Sequence, residues 1–206
     1  MLLKHVVGLM TPDHGSIEID SENIVGMKER ELNAVRRRFG MLFQGAALFD
    51  SLTVGENVGL GLREHHLLNG REIRERVAER LEWVGLEGSE KLKPASLSGG
   101  MRKRVGLARA IAMDPQYILY DEPTTGLDPI MADVIDQLIR DMQKRLGVTS
   151  VVVTHDLASA YKIGDQIAML NEGRIVFEGT PEETRNTRDT LVRQFIEGSS
   201  QGPIKV

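Results

Sequence analysis

Two adjacent carboxylates, Asp121 and Glu122, follow the apolar residues 117–120 and precede Pro123. An apolar strand in an open α/β sheet presents its ligands at the end where these acids lie. Mg²⁺ prefers hard oxygen ligands and keeps much of its hydration shell, so Asp121 is a candidate metal ligand. Glu122 is a candidate for orienting and polarising an attacking water. The alternative for the same residues is a buried strand followed by an acidic turn without chemistry.

The string Leu97-Ser98-Gly99-Gly100-Met101 predicts a helix that opens with a serine and two glycines. A helix N-terminus offers free N–H groups and the positive end of the helix dipole, and both favour phosphate. Glycine also lets the backbone approach a phosphate closely. A serine that only caps a helix explains Ser98, but it does not explain the whole string. These residues are therefore candidates for contact with a phosphorylated ligand.

Three more polar residues follow predicted elements or turns. Gln44 comes after the apolar residues 39–43, Asp128 ends a Gly-Leu-Asp turn, and His155 comes after the β-branched residues 148–154. Taken alone, His155 is more typical of a histidine at a strand end with a structural partner. Its significance comes from its place in an ordered set with the other four motifs.

This ordered set resembles the Q-loop, signature motif, Walker B motif, D-loop and switch histidine of ABC transporter ATP-binding subunits. The resemblance covers essentially the whole chain. It implies ATP and Mg²⁺ as ligands, with Asp121 and Gln44 at the metal. It also implies catalytic roles for Glu122, Gln44 and His155, in an in-line attack of water on the terminal phosphate.

The same resemblance implies a homodimer of ATPase subunits. Two subunits close head to tail, so that each ATP lies between one subunit's phosphate loop and the other subunit's signature motif. The residues that the resemblance brings to the nucleotide in this way are Leu97, Ser98, Gly99, Gly100, Met101 and Asp128.

Longer strings point to a subfamily. Residues 43–54, 56–58 and 97–109, together with the tail at 195–198 and 202–204, are similar to ATPases of the Mla and Mce type. Those systems transport phospholipids or other lipids between membranes. The similarity implies an integral membrane permease and a lipid-binding Mce-type protein as partners, and a cytoplasmic, peripheral location at the inner face of the membrane. Residues 46–58 would form much of the groove that receives the permease, although their apolar side chains could equally be core.

The fold expected from the resemblance is α/β, a P-loop NTPase-like ABC ATPase core with a mainly parallel sheet plus a helical subdomain that carries the signature motif, with the family's first strands and phosphate loop missing. The alternation of strands and helices favours the same sheet, covered on both faces. We expect one domain over 1–206, a helical subdomain at about 54–100, and a C-terminal tail at about 181–206 that is loose after Gly198. Helices are predicted at 2–10, 29–37, 54–85, after 98–100 and at 129–146, and strands at 16–20, 39–43, 117–120, 148–154, 166–170 and 174–178.

The glycine-rich phosphate loop of the family normally stands immediately before residues 2–9, and here only Met1 precedes them. The loop's backbone and lysine make several charge-assisted hydrogen bonds to phosphate, each contributing roughly 1.5 to 3 kcal/mol. We therefore expect this stretch of chain alone to be a fragment that neither binds ATP tightly nor hydrolyses it. Lys4 falls inside the predicted first helix and is not a substitute.

Composition bounds the remaining possibilities. The 206 residues are 41% hydrophobic and 27% charged, which suits one globular domain with a core. A net charge of -4 without a basic run gives no indication of nucleic acid or of an anionic membrane surface. Cysteine is absent, which excludes disulfides and thiolate metal sites. No apolar run reaches the length of a membrane span, so no direct membrane insertion is expected.

Three other functions stay open from the sequence. An importer ATPase for another solute is the nearest, and the string 43–58 argues against it. A shortened, non-catalytic regulator that docks on a permease or on a full-length ATPase is the second, and retention of Asp121, Glu122 and His155 argues against it. The third is an ABC protein of DNA repair or translation, whose long insertions or tandem nucleotide domains do not fit 206 residues.

Overall fold

The computed structural model describes residues 1–66 and 68–205. The chain divides into two compact units, Met1–Val153 and Thr154–Val206. Two residues lie outside the described ranges. Leu67 falls within the predicted helix 54–85, and Val206 falls within the predicted tail. The single domain and the helical subdomain stay predictions.

The first unit contains most of the regular structure. Its elements in chain order are α1 (Leu2–Val6), β1 (Glu18–Ile19), β2 (Glu22–Asn23), α2 (Glu29–Arg36), β3 (Phe39–Leu42), α3 (Val54–Val58), α4 (Leu60–Glu64), α5 (Gly70–Trp83), a 3-10 turn (Pro94–Ser96), α6 (Gly99–Ala110), β4 (Tyr117–Asp121), α7 (Pro129–Leu146) and β5 (Thr149–Val153).

A parallel sheet in the order β3-β4-β5 organises this unit. Leu42 pairs with Tyr120, and Asp121 pairs with Val153, so the three strands end at the same edge. Tyr120 is fully buried in the middle strand, and such a strand needs a continuous apolar run because helices cover both faces of a parallel sheet. The predicted α/β fold with a mainly parallel sheet is confirmed.

Helix α6 lies against β3 at a point where only glycine fits. A Cβ atom added to Gly40 would overlap the carbonyl oxygen of Ala110 and lie 2.9 Å from its carbonyl carbon. Gly106 on α6 makes the reciprocal approach, because a Cβ atom there would lie 2.7 Å from Leu42 Cδ1. The helix that begins at the serine-glycine string is therefore packed directly on the strand that leads to Gln44.

Gly40→Ala is expected to lower the free energy of unfolding by about 3 kcal/mol, because the new methyl group meets backbone that cannot rotate away. Urea denaturation followed by circular dichroism measures the change. Gly45→Ala is the matched control, since no heavy atom lies within 4 Å of a Cβ atom added there, and its effect should stay below about 1 kcal/mol. Equal losses in the two variants would contradict the steric argument.

The sequence favours helix over residues 54–85, and the structure has three helices there. Gly59 ends α3 with a non-helical ψ of 1°, and His66 takes a positive φ of 50° between α4 and α5. Asn69 then starts α5, because its side chain accepts hydrogen bonds from the N–H groups of Arg71 and Glu72. The polar and apolar spacing suits one helix, but the capping residues decide where each helix begins and ends.

The predicted strand at 16–20 is shorter than expected and has a partner that the sequence did not indicate. Its residues Glu18 and Ile19 pair with Asn23 and Glu22 in an antiparallel ribbon. The two intervening residues both have positive φ, which is the conformation of a tight two-residue hairpin turn.

The second unit contains α8 (Leu157–Ile163), β6 (Ile167–Asn171), β7 (Arg174–Gly179), α9 (Pro181–Asn186) and α10 (Thr190–Glu197). The predicted closing hairpin is confirmed, with β6 antiparallel to β7. Glu172 and Gly173 in its turn have φ of 46° and 75°, the two positive values that a type I′ turn needs. Within the described ranges, none of the helices combines the length and the apolar character needed to span a membrane.

The chain after Gly198, which the sequence predicts to be loose, makes hydrogen bonds to α10. The Gln194 side chain, on α10, donates to the carbonyl oxygens of Ser199 at 3.2 Å and Ile204 at 3.1 Å. The same amide accepts a hydrogen bond from the Ile204 N–H at 2.7 Å. One buried glutamine fixes a polar segment that has no apolar pattern of its own.

Candidate functional site

The candidate site lies at the edge where β3 and β4 end. Gln44 stands two residues after Leu42 and Asp121 stands one residue after Tyr120, and Leu42 pairs with Tyr120. The register of the sheet therefore brings Gln44, Asp121 and Glu122 to the same edge, as the sequence predicts. Gln44 is exposed in a turn, whereas both carboxylates are half-buried.

Glu122 has an unusual backbone conformation, with a φ of 49°. A left-handed conformation in a residue other than glycine costs about 1–3 kcal/mol and persists only where the surroundings hold it, which happens most often at functional sites. The Glu122 N–H donates to the Val153 carbonyl at 2.9 Å. Its carboxylate accepts a hydrogen bond from the Thr125 hydroxyl at 2.9 Å. Both ends of the residue are therefore fixed by neighbours in the first unit.

Lys103 is a member of the site that the sequence reasoning missed. Its ammonium nitrogen donates to the Glu122 carbonyl at 2.9 Å, and the side chain is buried on α6. Burial lowers the pKa of Lys103, and the nearby Glu122 and Asp121 carboxylates oppose that shift. The only sequence signal is a lysine placed one turn after the glycines, on the face of the helix that also carries buried apolar residues.

The serine-glycine string forms the N-terminus of α6, as predicted. Ser98 is the N-cap, and its hydroxyl accepts a hydrogen bond from the Met101 N–H at 3.2 Å. Ser98 and Gly99 are exposed, while Leu97 and Gly100 are buried. This leaves the first turn of a twelve-residue helix open to solvent on one side, with the N–H groups and dipole that favour a phosphate.

Asp128 caps the N-terminus of α7 within this chain. Its carboxylate is the N-cap of α7 and accepts hydrogen bonds from the N–H groups of Ile130 at 3.1 Å and Met131 at 3.0 Å. Met131 in turn packs at Gly100, where an added Cβ atom would lie 2.5 Å from the methionine methyl carbon. The cap therefore holds the loop before α7 next to the serine-glycine string. Its predicted contact with nucleotide stays a prediction.

His155 lies in the second unit, just before α8. It is exposed, and the next residue, Asp156, caps α8 by accepting hydrogen bonds from the N–H groups of Ala158 at 2.9 Å and Ser159 at 3.3 Å. This cap fixes the backbone at His155. Its predicted contact with the terminal phosphate stays a prediction.

The donor set at the sheet edge fits Mg²⁺. Asp121 and Gln44 supply hard oxygens from neighbouring strand ends, and magnesium is commonly held by one or two protein ligands together with phosphates and water. Residues 1–66 and 68–205 contain no group of three or more His, Cys, Asp or Glu side chains that could bind a metal. The arrangement therefore suits a metal that arrives with a phosphorylated ligand.

The loop that follows Gln44 is organised by a fully buried amide. Asn57 accepts a hydrogen bond from the Phe49 N–H at 2.8 Å and donates to the carbonyls of Phe49 at 3.1 Å and Thr53 at 2.9 Å. Phe49 itself is 53% exposed, whereas Val54 is completely buried. Of the apolar residues at 46–58, some are thus core, whereas Phe49 is exposed in a loop that Asn57 holds.

Arg109 holds the beginning of the same loop. Its guanidinium donates to the carbonyls of Ala46 and Ala47, each at 2.7 Å, and both alanines have positive φ. Burial lowers the pKa of Arg109. The sequence reasoning quoted Arg109 within a longer string but assigned it no task. It ties the end of α6 to the loop that contains Gln44.

Asn57→Leu is expected to loosen this loop and to lower the free energy of unfolding by about 2–4 kcal/mol, because several buried backbone groups lose their partner at about 1 kcal/mol each. Chemical denaturation gives the stability, and hydrogen exchange at residues 49–53 should accelerate. Asn33→Leu on the exposed face of α2 is the control and should change stability by less than about 0.5 kcal/mol. Unchanged exchange at 49–53 would contradict the assignment.

The chain has a parallel sheet whose middle strand ends at Asp121 and a helix that opens with Ser98 and two glycines, and both features are common in nucleotide-binding α/β domains. The family model described as ABC transporter matches residues 1–125. The intermembrane phospholipid transport system ATP-binding protein MlaF of Haemophilus influenzae is 43% identical over 204 residues, covering 99% of this chain and 77% of the relative. The chain belongs to the ABC transporter family.

Two further comparisons give the same family. The probable ribonucleotide transport ATP-binding protein mkl of Mycobacterium leprae is 43% identical over 204 residues, covering 99% of this chain and 59% of the relative. A solved dimeric ATP-binding cassette in a post-hydrolysis state, bound to ADP and Pi, has a TM-score of 0.79 at 36% identity, over 87% of this chain and 79% of that chain.

Proposed function

We propose that this chain is the catalytic core of the ATP-hydrolysing subunit of an ABC transporter that moves phospholipids between membranes, and that it needs the family's phosphate loop to bind and hydrolyse ATP. The observation that carries the proposal is the shared sheet edge of Gln44, Asp121 and Glu122. The similarity to a phospholipid-transport ATP-binding protein over 99% of this chain supports the transported class.

The chemistry of the proposed site is the attack of water on the terminal phosphate of ATP. Glu122 orients and polarises this water, and the Thr125 hydroxyl fixes the carboxylate for that task. Asp121 and Gln44 would hold Mg²⁺, and the chemistry supplied by the bound metal would be positive charge close to the phosphate oxygens. Most of the acceleration comes from positioning and electrostatics, since the reaction needs no covalent bond to the protein.

The proposed working unit is a homodimer. The solved cassette with ADP and Pi is dimeric, which supports an ATP that is shared between two copies. In that arrangement Ser98, Gly99 and Gly100 of one copy contact the nucleotide bound by the other copy. His155 would hydrogen-bond the terminal phosphate.

The proposed partners are an integral membrane permease and a lipid-binding Mce-type protein, with the ATPase at the cytoplasmic face of the inner membrane. The exposed Phe49 in the loop held by Asn57 and Arg109 is the proposed contact for the permease. A half-exposed aromatic side chain on a loop held by hydrogen bonds is typical of an anchor residue at a protein interface.

The transported class is tested with the complex purified from its native membrane and reconstituted into lipid vesicles. We expect ATP- and Mg²⁺-dependent transfer of fluorescent phospholipid to acceptor vesicles, and no transfer when the metal is chelated. Ribonucleotide transport without phospholipid transfer would favour the function named for the mycobacterial relative. Copurification with the permease but no ATP hydrolysis at all would favour a non-catalytic regulator.

A further inference from the structure

The backbone of Glu122 is held from two sides. Its N–H donates to Val153 in β5 at 2.9 Å, and its carbonyl accepts from the Lys103 ammonium on α6 at 2.9 Å. The residue between these two bonds has a φ of 49°, a conformation that relaxes unless its surroundings hold it. Removing either bond would therefore change where the carboxylate points.

The Lys103 side chain makes this contact in a position where its ammonium group has little access to water. It is only 5% exposed, and lysine is almost never fully buried unless its charge is paired. The Glu122 and Asp121 carboxylates supply the compensating charge.

We propose that Lys103 is a positioning residue for Glu122, which holds the carboxylate at the angle needed to orient water. The proposal rests on the proposed ATPase function. It also links two parts of the proposed dimer. The first turn of α6 contacts the ATP bound by the opposite copy. The same helix fixes the Glu122 carboxylate, which acts on the ATP bound by its own copy. The lysine stands one turn after Gly99, so a shift of α6 moves Lys103 and the Glu122 peptide together.

Lys103→Met tests this proposal in the purified transporter complex. Methionine keeps an apolar stem of similar length but donates no hydrogen bond and carries no charge. We expect kcat for ATP hydrolysis to fall about 10- to 100-fold, because small misplacements of a reacting group have effects of that size. The KM for ATP should change less than about 2-fold, since the proposal gives Lys103 a contact with the Glu122 carbonyl and none with the nucleotide. Lys103→Arg, which can still donate to the carbonyl, should recover a large part of kcat.

Arg104→Met is the matched control. Arg104 is the next residue on α6 and also donates to a distant backbone carbonyl, that of Gly85 at 3.1 Å, but not to Glu122. Its kcat should stay near the wild-type value. If Lys103→Met does not fold, Lys103→Gln, which is neutral and too short to keep the contact, replaces it with the same expected loss.

A double-mutant cycle separates positioning from a general structural effect. If Lys103 acts through Glu122, adding Lys103→Met to Glu122→Gln should cause no further loss of turnover. Equilibrium binding of ATP to that double variant should match the binding to Glu122→Gln alone. Full additivity, or weaker ATP binding, would overturn the proposal, and so would wild-type kcat in Lys103→Met. An inactive wild-type complex, or normal turnover in Glu122→Gln, would instead contradict the proposed function.

Discussion

Glu122→Gln is expected to lower kcat for ATP hydrolysis by about 100-fold or more while ATP binding is retained. The change replaces the carboxylate group with a carboxamide group of the same shape. The contact with the Thr125 hydroxyl at 2.9 Å and the bond from the backbone N–H to Val153 can therefore both persist. Only the negative charge and the proton-accepting capacity are lost, and general base catalysis contributes about 100- to 10,000-fold. Phosphate release under saturating ATP measures the loss.

Glu172→Gln is the matched control for that experiment. Glu172 is also a glutamate with a positive φ, 46°, but it lies in the turn of the β6–β7 hairpin. The same chemical change in the same backbone conformation should leave kcat unaltered. Near-normal turnover in Glu122→Gln would overturn the assignment of Glu122. Equal losses of turnover and of ATP binding would mean that the residue supports the fold of the site and does not act on water.

The sheet and the motif positions could be predicted from the sequence because each is a local pattern. The strands at 39–43 and 117–120 are short apolar runs between turn signals, and they are observed as Phe39–Leu42 and Tyr117–Asp121. The short string Asn171-Glu172-Gly173 between two predicted strands predicts the closing hairpin for the same reason. Once strand order is known, the register brings Gln44 to the carboxylates without further information.

The supporting contacts could not be predicted because they join distant parts of the chain. Lys103 and Glu122 are 19 positions apart, and Arg109 lies 62 positions from Ala47. A basic residue on a helix predicts a solvated surface on average, so nothing in the string from 97 to 109 shows which of its cations turn inward. The left-handed conformation of Glu122 is equally hidden, since it depends on bonds from β5 and α6.

Helix α6 contacts three separate parts of the candidate site. Its first turn presents Ser98 and Gly99, its second turn holds the Glu122 carbonyl through Lys103, and its last turn holds the loop after Gln44 through Arg109. Gly106 lets the helix lie directly on β3. In the proposed transporter, this helix would connect the nucleotide site to the loop that faces the permease.

Gly99→Asp is expected to lower kcat/KM for ATP about 100- to 1000-fold without destabilising the fold. Gly99 is the first residue of α6, where an acidic side chain interacts favourably with the helix dipole by about 0.3–1 kcal/mol. The nearest heavy atom to an added Cβ is Leu127 Cδ2 at 3.7 Å, an ordinary contact. A carboxylate there would face the phosphate of the other copy, and two such charges about 4 Å apart repel by roughly 4 kcal/mol near a protein surface.

Gly99→Asn isolates the charge from the size of the side chain. Asparagine fills the same volume without charge, so it should keep most of the activity that the aspartate variant loses, and thermal melting by circular dichroism should show a midpoint for Gly99→Asp at or above wild type. Raising the salt concentration should recover part of the loss, because ions screen the repulsion. If Gly99→Asp hydrolyses ATP normally, the N-terminus of α6 does not face phosphate in the working dimer. An equal loss in both variants would mean that the site rejects any side chain at this position.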